Sequence, residues 1–218
     1  MKILYIDTSS SYLYAGIVED SNLLCEVKKE FGHSLSEEAL PEISKLFETS
    51  NTKPKDINKI IVVNGPGSFT GIRIGVTIAK VYAWSLNIPI TTVTSLEAMA
   101  MSCNTSKVRI PMIDARRGYV FSAIYDANNT ILPPKYIKLS ELFNLIPDKD
   151  YVIITNDEFE NIENCESYNP DILKIVTHCS NSKLQNPHAV NPEYLKLTEA
   201  EESHLSWFTQ LQKKASTS

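Results

Sequence analysis

Glycine is scarce in this chain, and what there is concentrates in one place. Of seven glycines in 218 residues, four fall within Asn64-Gly-Pro-Gly-Ser-Phe-Thr-Gly-Ile-Arg-Ile-Gly75. Cysteine is also sparse. Cys25, Cys103, Cys165 and Cys179 lie far apart with no C-x-x-C pair, which argues against a zinc knuckle and against structural disulfides. No apolar run approaches the roughly 18 residues of a membrane span, so no membrane partner is expected. Net charge is −5. Short basic pairs such as Arg116-Arg117 and Lys213-Lys214 do not make the clustered Lys/Arg surface that phosphate neutralisation needs. The opening Met1-Lys-Ile-Leu-Tyr-Ile-Asp7 turns acidic at once and lacks a signal-peptide core and cleavage site. The expected compartment is therefore the cytoplasm. What is present, 43% apolar and 22% charged residues, suits a chain with a proper core.

The glycine stretch follows an apolar run, Lys59–Asn64, and precedes a helical pattern from Thr70 to Leu86. It reads as a tight strand-to-helix turn. Such a turn can offer backbone N–H groups to a phosphate, or it can let another backbone come close. Walker A spacing is missed, since no lysine lies between Asn64 and Ala79, and G-x-G-x-x-G is missed by one position. Asp7-Thr8-Ser9 at the end of the first strand joins Gly65, Gly67 and Ser68 as a candidate phosphate or nucleotide turn. The other reading of Asp7 is a carboxylate that caps its own turn.

Along the following helix, Gly71, Gly75, Ala79 and Ala83 recur every four residues and share one stripe. Glycine inside a helix costs about 1 kcal/mol relative to alanine, so close approach of another element is expected. The stripe leaves open whether that element belongs to this chain or to a partner. With Arg73, these residues form the candidate dimer interface. Ile74, Ile78, Val81 and Leu86 lie off the stripe and are expected to face a sheet.

The first half reads as three antiparallel strands (2–7, 12–19, 23–31), a helix over Ser36–Glu48, a strand at 59–63, the glycine turn, helix 70–86, a strand at 90–93 and a helix at 95–103. Leu35, Ala39, Leu40, Ile43, Leu46 and Phe47 form the apolar face of the first helix, and Ser36 is its expected cap. The second half opens in the same way. Ile6-Asp7-Thr-Ser-Ser-Ser-Tyr12-Leu-Tyr-Ala-Gly-Ile17 aligns without a gap on Ile113-Asp114-Ala-Arg-Arg-Gly-Tyr119-Val-Phe-Ser-Ala-Ile124. This predicts a duplicated unit and two lobes, residues 1–104 and 105–218. Further on, Leu139–Leu145 reads as a short helix, Tyr151–Thr155 as a strand and Leu173–Val176 as another strand. Ser203–Lys214 reads as a final helix that can pack back on the first lobe. Asp114 with Arg116 and Arg117 reads either as a surface ion pair or as a site for an anion or an acidic partner.

Four stretches, Asn64–Gly75, Ser95-Leu-Glu-Ala98, Ile113–Gly118 and Pro192-Glu-Tyr-Leu195, resemble the bacterial TsaB family of threonylcarbamoyladenosine biosynthesis proteins. They occur in the family's order and span most of the chain. The resemblance implies an α/β, two-lobe actin-like ATPase (ASKHA) fold of duplicated βββαβαβα units with a degenerate second lobe. It also implies a Gcp-like, non-catalytic scaffold that pairs with the catalytic TsaD and supports the ATPase TsaE. The resulting assembly transfers a threonylcarbamoyl group to an adenosine beside the tRNA anticodon. In such a protein no cofactor is tightly bound, ATP or ADP enters only at the complex interface, tRNA is met through the complex, and the lone protein forms a homodimer through helices of the first lobe. TsaD-like chains carry His-x-x-x-His. Here that slot reads His33-Ser-Leu-Ser-Glu37, and no metal is expected. The alternatives are a metallopeptidase or glycopeptidase, or a small-molecule phosphotransferase, of the same fold.

Overall fold

The computed structural model describes residues 1–127 and 129–196. The expected helix at 203–214 lies outside the described residues. The chain opens with strands β1 (Lys2–Asp7), β2 (Tyr12–Glu19) and β3 (Asn22–Glu30), then helix α1 (Leu35–Thr49), β4 (Ile57–Val63), α2 (Phe69–Leu86), β5 (Ile90–Val93) and α3 (Ser95–Ser102). The second unit follows as β6 (Val108–Asp114), β7 (Tyr119–Tyr125), β8 (Thr130–Lys138), α4 (Leu139–Phe143), β9 (Tyr151–Ile154), the two-residue β10 (Cys165–Glu166) and α5 (Ile172–His178).

Two five-stranded sheets result, ordered β3-β2-β1-β4-β5 and β8-β7-β6-β9-β10. Within each sheet the first three strands are antiparallel neighbours, and the fourth and fifth run parallel to the first. The duplication predicted from Asp7/Asp114 and Tyr12/Tyr119 is therefore a duplication of topology. The end of β1 and the start of β2 are spaced as the end of β6 and the start of β7.

The alternation of β1 sorts the core. Leu4 and Ile6 face α1 and α2, where Ile43, Leu46, Ile72, Val76 and Ala79 complete one cluster. Ile3 and Tyr5 point the other way, onto Ala98 of α3 and onto Ile172, Ile175 and Val176 of α5. In the second sheet, Ile110, Val120 and Ile153 pack with Leu142 of α4. Ala123, Tyr125 and Ile154 meet Leu96, Met99 and Ala100 of α3. The short helix α3 thus belongs to both lobes.

Three expectations need correction. Leu173–Val176 is not a strand but the middle of α5. Asp171 caps that helix by accepting the Lys174 N–H at 3.0 Å, and the helix covers the first sheet. The second lobe therefore does not run on from residue 105 to the end: beyond Asp171 the chain returns to the first lobe. Gln185 pairs with Ile90, and Val190 joins the α1–α2 core. A boundary between Ser102 and Val108 divides the two sheets, but residues 171–194 go with the first, and Lys196 reaches back over Tyr136 of β8. Third, Ser36 does not cap α1, which begins at Leu35, and Leu40 lies on its outer side, 48% exposed.

Lys59 holds the returning segment in place. It is buried in β4, and its ammonium donates to the carbonyl of Cys179 at 2.8 Å. That carbonyl stands at the C-terminal end of α5, where a cation is favoured by the helix dipole. Burial pulls the Lys59 pKa down and raises the neighbouring Cys179 thiol to about 11.

Candidate functional site: the interlobe cleft and the outer face of the second helix

The two strand-end turns repeat each other at atomic level. Asp7 Oδ1 accepts the Ser9 N–H at 2.8 Å, and Asp114 Oδ1 accepts the Arg116 N–H at 2.9 Å. Both aspartates therefore cap their own turns. Their surroundings differ. Asp7 is buried, with the Tyr5 hydroxyl 3.5 Å from its second oxygen, and burial raises its pKa despite the Ser9 hydrogen bonds. Asp114 is exposed, and its N–H donates to Asp157 at 2.7 Å.

Asp7, Thr8, Ser9, Gly65, Gly67 and Ser68 do come together, and several of their polar groups bond within the cluster or to α2. Thr8 Oγ1 donates to the Gly71 carbonyl at 2.7 Å, and the Ser68 N–H donates to the Ser9 carbonyl at 2.7 Å. Ser68 Oγ accepts from the Gly71 N–H and caps α2. The loop lies directly on the turn, and these bonds hold the end of β1 to α2, while Ser9, Gly67 and Ser68 also line the space between the two lobes.

That contact explains the small-residue stripe. A Cβ on Gly71 would fall within 3.0 Å of the Thr8 carbonyl oxygen, and one on Gly75 within 3.0 Å of Thr8 Oγ1, closer than real Cβ atoms come. Ala79 and Ala83 are fully buried in the core beneath. The stripe thus faces β1 of this same chain, and the four small residues cannot form a dimer surface. Arg73, the fifth residue of that set, is exposed. So is Val81, expected to face the sheet: Val81 is 57% and Trp84 66% exposed, while Ile74 and Ile78 are half-buried at the flank of the core. Of the two elements the stripe left open, one of this chain and one of a partner, it is this chain that makes the close approach, and the dimer-interface assignment of these four residues is corrected.

The Pro192–Leu195 stretch reaches the glycine turn. The Glu193 N–H donates to the Asn64 carbonyl at 2.7 Å, Tyr194 stacks on Phe69 at 4.9 Å, and Arg73 Nε donates to the Tyr194 hydroxyl at 2.8 Å while lying 3.9 Å over the Phe69 ring. The Phe69–Arg73 spacing, one helical turn apart, was the available sequence signal for this cluster.

Between the lobes lies a cleft of about 1340 Å³. Tyr12, Tyr14 and Lys28 line it from the first lobe, and Arg116, Phe121 and Asp157 from the second. Tyr12 and Tyr14 stack at 5.4 Å, and Tyr168 meets Tyr14 edge-on. His33 is exposed in a short 3₁₀ turn before α1. Among the described residues, no group of three or more His, Cys, Asp or Glu side chains could hold a metal ion. None of the described helices is long and apolar enough to cross a membrane.

Comparison with known proteins decides the family. A family model described as "TsaD: tRNA N6-adenosine threonylcarbamoyltransferase" matches residues 29–169. The tRNA threonylcarbamoyladenosine biosynthesis protein TsaB of Bacillus subtilis is 32% identical over 221 residues, covering 92% of this chain and 96% of that protein. The chain belongs to the TsaB family. TsaB of Escherichia coli is 33% identical over 133 residues, covering 57% of this chain and 55% of that one. The fold is that of YeaZ from Pseudomonas aeruginosa, with a TM-score of 0.77 at 16% identity over 88% of this chain and 100% of that one. The two α/β lobes of like topology expected from the resemblance are present, each built on a five-stranded sheet.

Proposed function

We propose that this member of the TsaB family is a non-catalytic subunit of the machinery that makes threonylcarbamoyladenosine in tRNA. On this reading it pairs with a TsaD-like catalytic subunit through the outer side of α1 and α2, and with a second copy of itself when alone. The pair supports a TsaE-like ATPase, nucleotide enters only where the subunits meet, and tRNA modification takes place on the partner. The observation that carries the reading is the apolar outer face of the first lobe. Leu40, Val81 and Trp84 are 48%, 57% and 66% exposed, with Ile74 and Ile78 half-buried beside them. Large exposed side chains on adjacent helices mark an interaction surface, and tryptophan is enriched among the residues that dominate binding energy.

The test is Trp84→Glu, made alone and with Val81→Glu. Both side chains point away from the core, so the fold should survive. Loss of a central tryptophan is worth about 2 kcal/mol or more in association, roughly a thirty-fold weakening. Light scattering should then report a monomer, pull-down with the TsaD-like subunit should fail, and tRNA modification in the reconstituted system should drop with it. A folded variant that still pairs and supports modification would refute the reading. Stoichiometric metal in the dialysed protein, or transfer without a TsaD-like subunit, would refute the non-catalytic assignment.

A further inference from the structure

The specific motif at Ile113–Gly118 plays no part in the pairing surface, yet its backbone is unusual. Arg116 and Arg117 have φ of 67° and 57°, followed by Gly118 at 75°. Two consecutive non-glycine residues in the left-handed region are sparsely populated and are retained where the surroundings hold them. Here the turn is held tightly. The Ala115 N–H donates to Tyr119 O, the Tyr119 N–H to Arg116 O, and the Leu139 N–H to Gly118 O at 2.9 Å. The last bond places the arginine turn against the end of β8, beside the exposed Lys138.

The adjoining face of the second sheet is aromatic. Tyr119 and Tyr136 stack at 4.7 Å with 9° between their planes, and Phe121 lies 5.7 Å from Tyr136. Cations lie over this stack: Lys138 Nζ is 5.9 Å from the Tyr119 ring centre, and Lys196 Nζ is 5.4 Å from that of Tyr136. Lysines on an edge strand also guard against stray strand pairing, but that purpose needs no aromatic stack beneath them. Two carboxylates also stand at this turn: Asp114 accepts the Arg116 N–H, and Asp157 accepts the Asp114 N–H. A chain with net charge −5 thus gathers arginine, lysine and stacked rings at one corner of its second lobe. Planar rings that accept bases, flanked by cations that accept phosphates, are the physical recipe for binding single-stranded nucleic acid.

We infer that the Arg116–Tyr119 turn and the Tyr119–Tyr136 stack form a contact site for a single-stranded RNA segment: a base takes the outer face of one tyrosine, displacing the lysine that lies over it, and phosphates meet Arg116, Lys138 and Lys196. This goes beyond the scaffold reading, in which RNA is met only through the partner. Arg116, Phe121 and Lys196 also line the interlobe cleft, so the site borders it, and none of its residues belongs to α1 or α2.

The probe is a fluorescein-labelled anticodon stem-loop RNA, titrated with the full chain at low salt and again across a salt series. The double variant Arg116→Glu/Lys138→Glu should bind at least tenfold more weakly. Its log–log salt slope should be shallower by about 1.4, the counterion release of two phosphate contacts on a single strand. Tyr136→Ala should weaken binding about tenfold with the slope unchanged, because stacking and not charge is lost. Circular dichroism checks that each variant is folded, and Lys138→Gln replaces the double variant if charge reversal unfolds the turn. Trp84→Glu should bind the RNA as the wild type does even as it loses pairing, which separates this site from the pairing surface. Absence of stem-loop binding by the wild-type chain at low salt overturns the inference, as do folded variants that bind normally. Variants that keep RNA but lose the TsaD-like subunit overturn it too, and would assign the patch to an acidic protein surface.

Discussion

Gly75→Ala offers a sharp test of how the first lobe is held together, because its outcome depends on one hydroxyl. Alanine is favoured over glycine in a helix interior by about 1 kcal/mol, so on an outward stripe the change would stabilise. Here the new methyl would fall within 3.0 Å of Thr8 Oγ1. Thr8 cannot turn away without giving up its 2.7 Å bond to the Gly71 carbonyl, worth about 1 kcal/mol, and overpacking a tight contact adds about 1–3 kcal/mol. The net expectation is a loss of about 1–3 kcal/mol, or roughly 2–12 °C in Tm for a chain of this size. In a Thr8→Ala background the obstacle is gone, and Gly75→Ala should become neutral or stabilising by up to about 1 kcal/mol. The double-mutant coupling should therefore reach about 2 kcal/mol. Gly71→Ala provides the contrast. Its obstacle is the Thr8 backbone carbonyl, which Thr8→Ala leaves in place, so its loss of about 3 kcal/mol should persist in both backgrounds. Urea and thermal denaturation of the variants measure all of these terms. A stabilising Gly75→Ala on its own, or a coupling below about 0.5 kcal/mol, would refute the inward-facing stripe.

Two other expectations follow from buried ionisable groups. Lys59→Met keeps the apolar stem but leaves the Cys179 carbonyl without its charged donor, at a cost of about 2 kcal/mol. Amide exchange should rise first across residues 171–181, and exchange there unchanged from wild type would contradict the latch. Asp7 is held above its ordinary 3.8 by burial. A carboxyl raised in the folded state contributes stability below its unfolded pKa and loses it as pH rises through the folded value. Asp7→Asn keeps an acceptor for the Ser9 N–H, so it should gain on the wild type as pH increases from about 3.5 to 7. Urea midpoints at several pH values check this, and a gap that is constant or runs the other way would show that Asp7 is not desolvated.

Much of the first lobe was legible because its elements are long and their patterns local. The strand alternation of β1 and β2 and the apolar face of α1 each declare themselves within about a dozen residues. The Asp7/Asp114 alignment carried the second lobe for the same reason. What sequence could not supply were partners distant in the chain. Gly71 and Gly75 announce a close approach, but Thr8 lies more than sixty positions upstream. Leu173–Val176 is too short for its period to separate strand from helix. Its helix is fixed by the Asp171 cap and by Lys59, 120 positions away. Arg116 and Arg117 read in sequence as a candidate anion site, but their aromatic setting does not show there, because Tyr136 and Lys196 are met only through the edge strand and the returning chain.

The return of α5 to the first sheet also sets an order of events during synthesis. One face of β1, β2 and β4, with Ile3, Tyr5, Tyr14, Val18, Ile61 and Val63, is covered in large part by Ile172, Ile175 and Val176. Seventy positions separate Ser102 from Ile172 (172 − 102), so at ribosomal speeds of about 5–20 residues per second that face waits about 4–14 s for its lid. The second lobe is made in the interval. A nascent first lobe therefore carries an uncovered apolar sheet face into a crowded cell, and a message truncated after α3 would yield an aggregation-prone fragment and not a small stable domain.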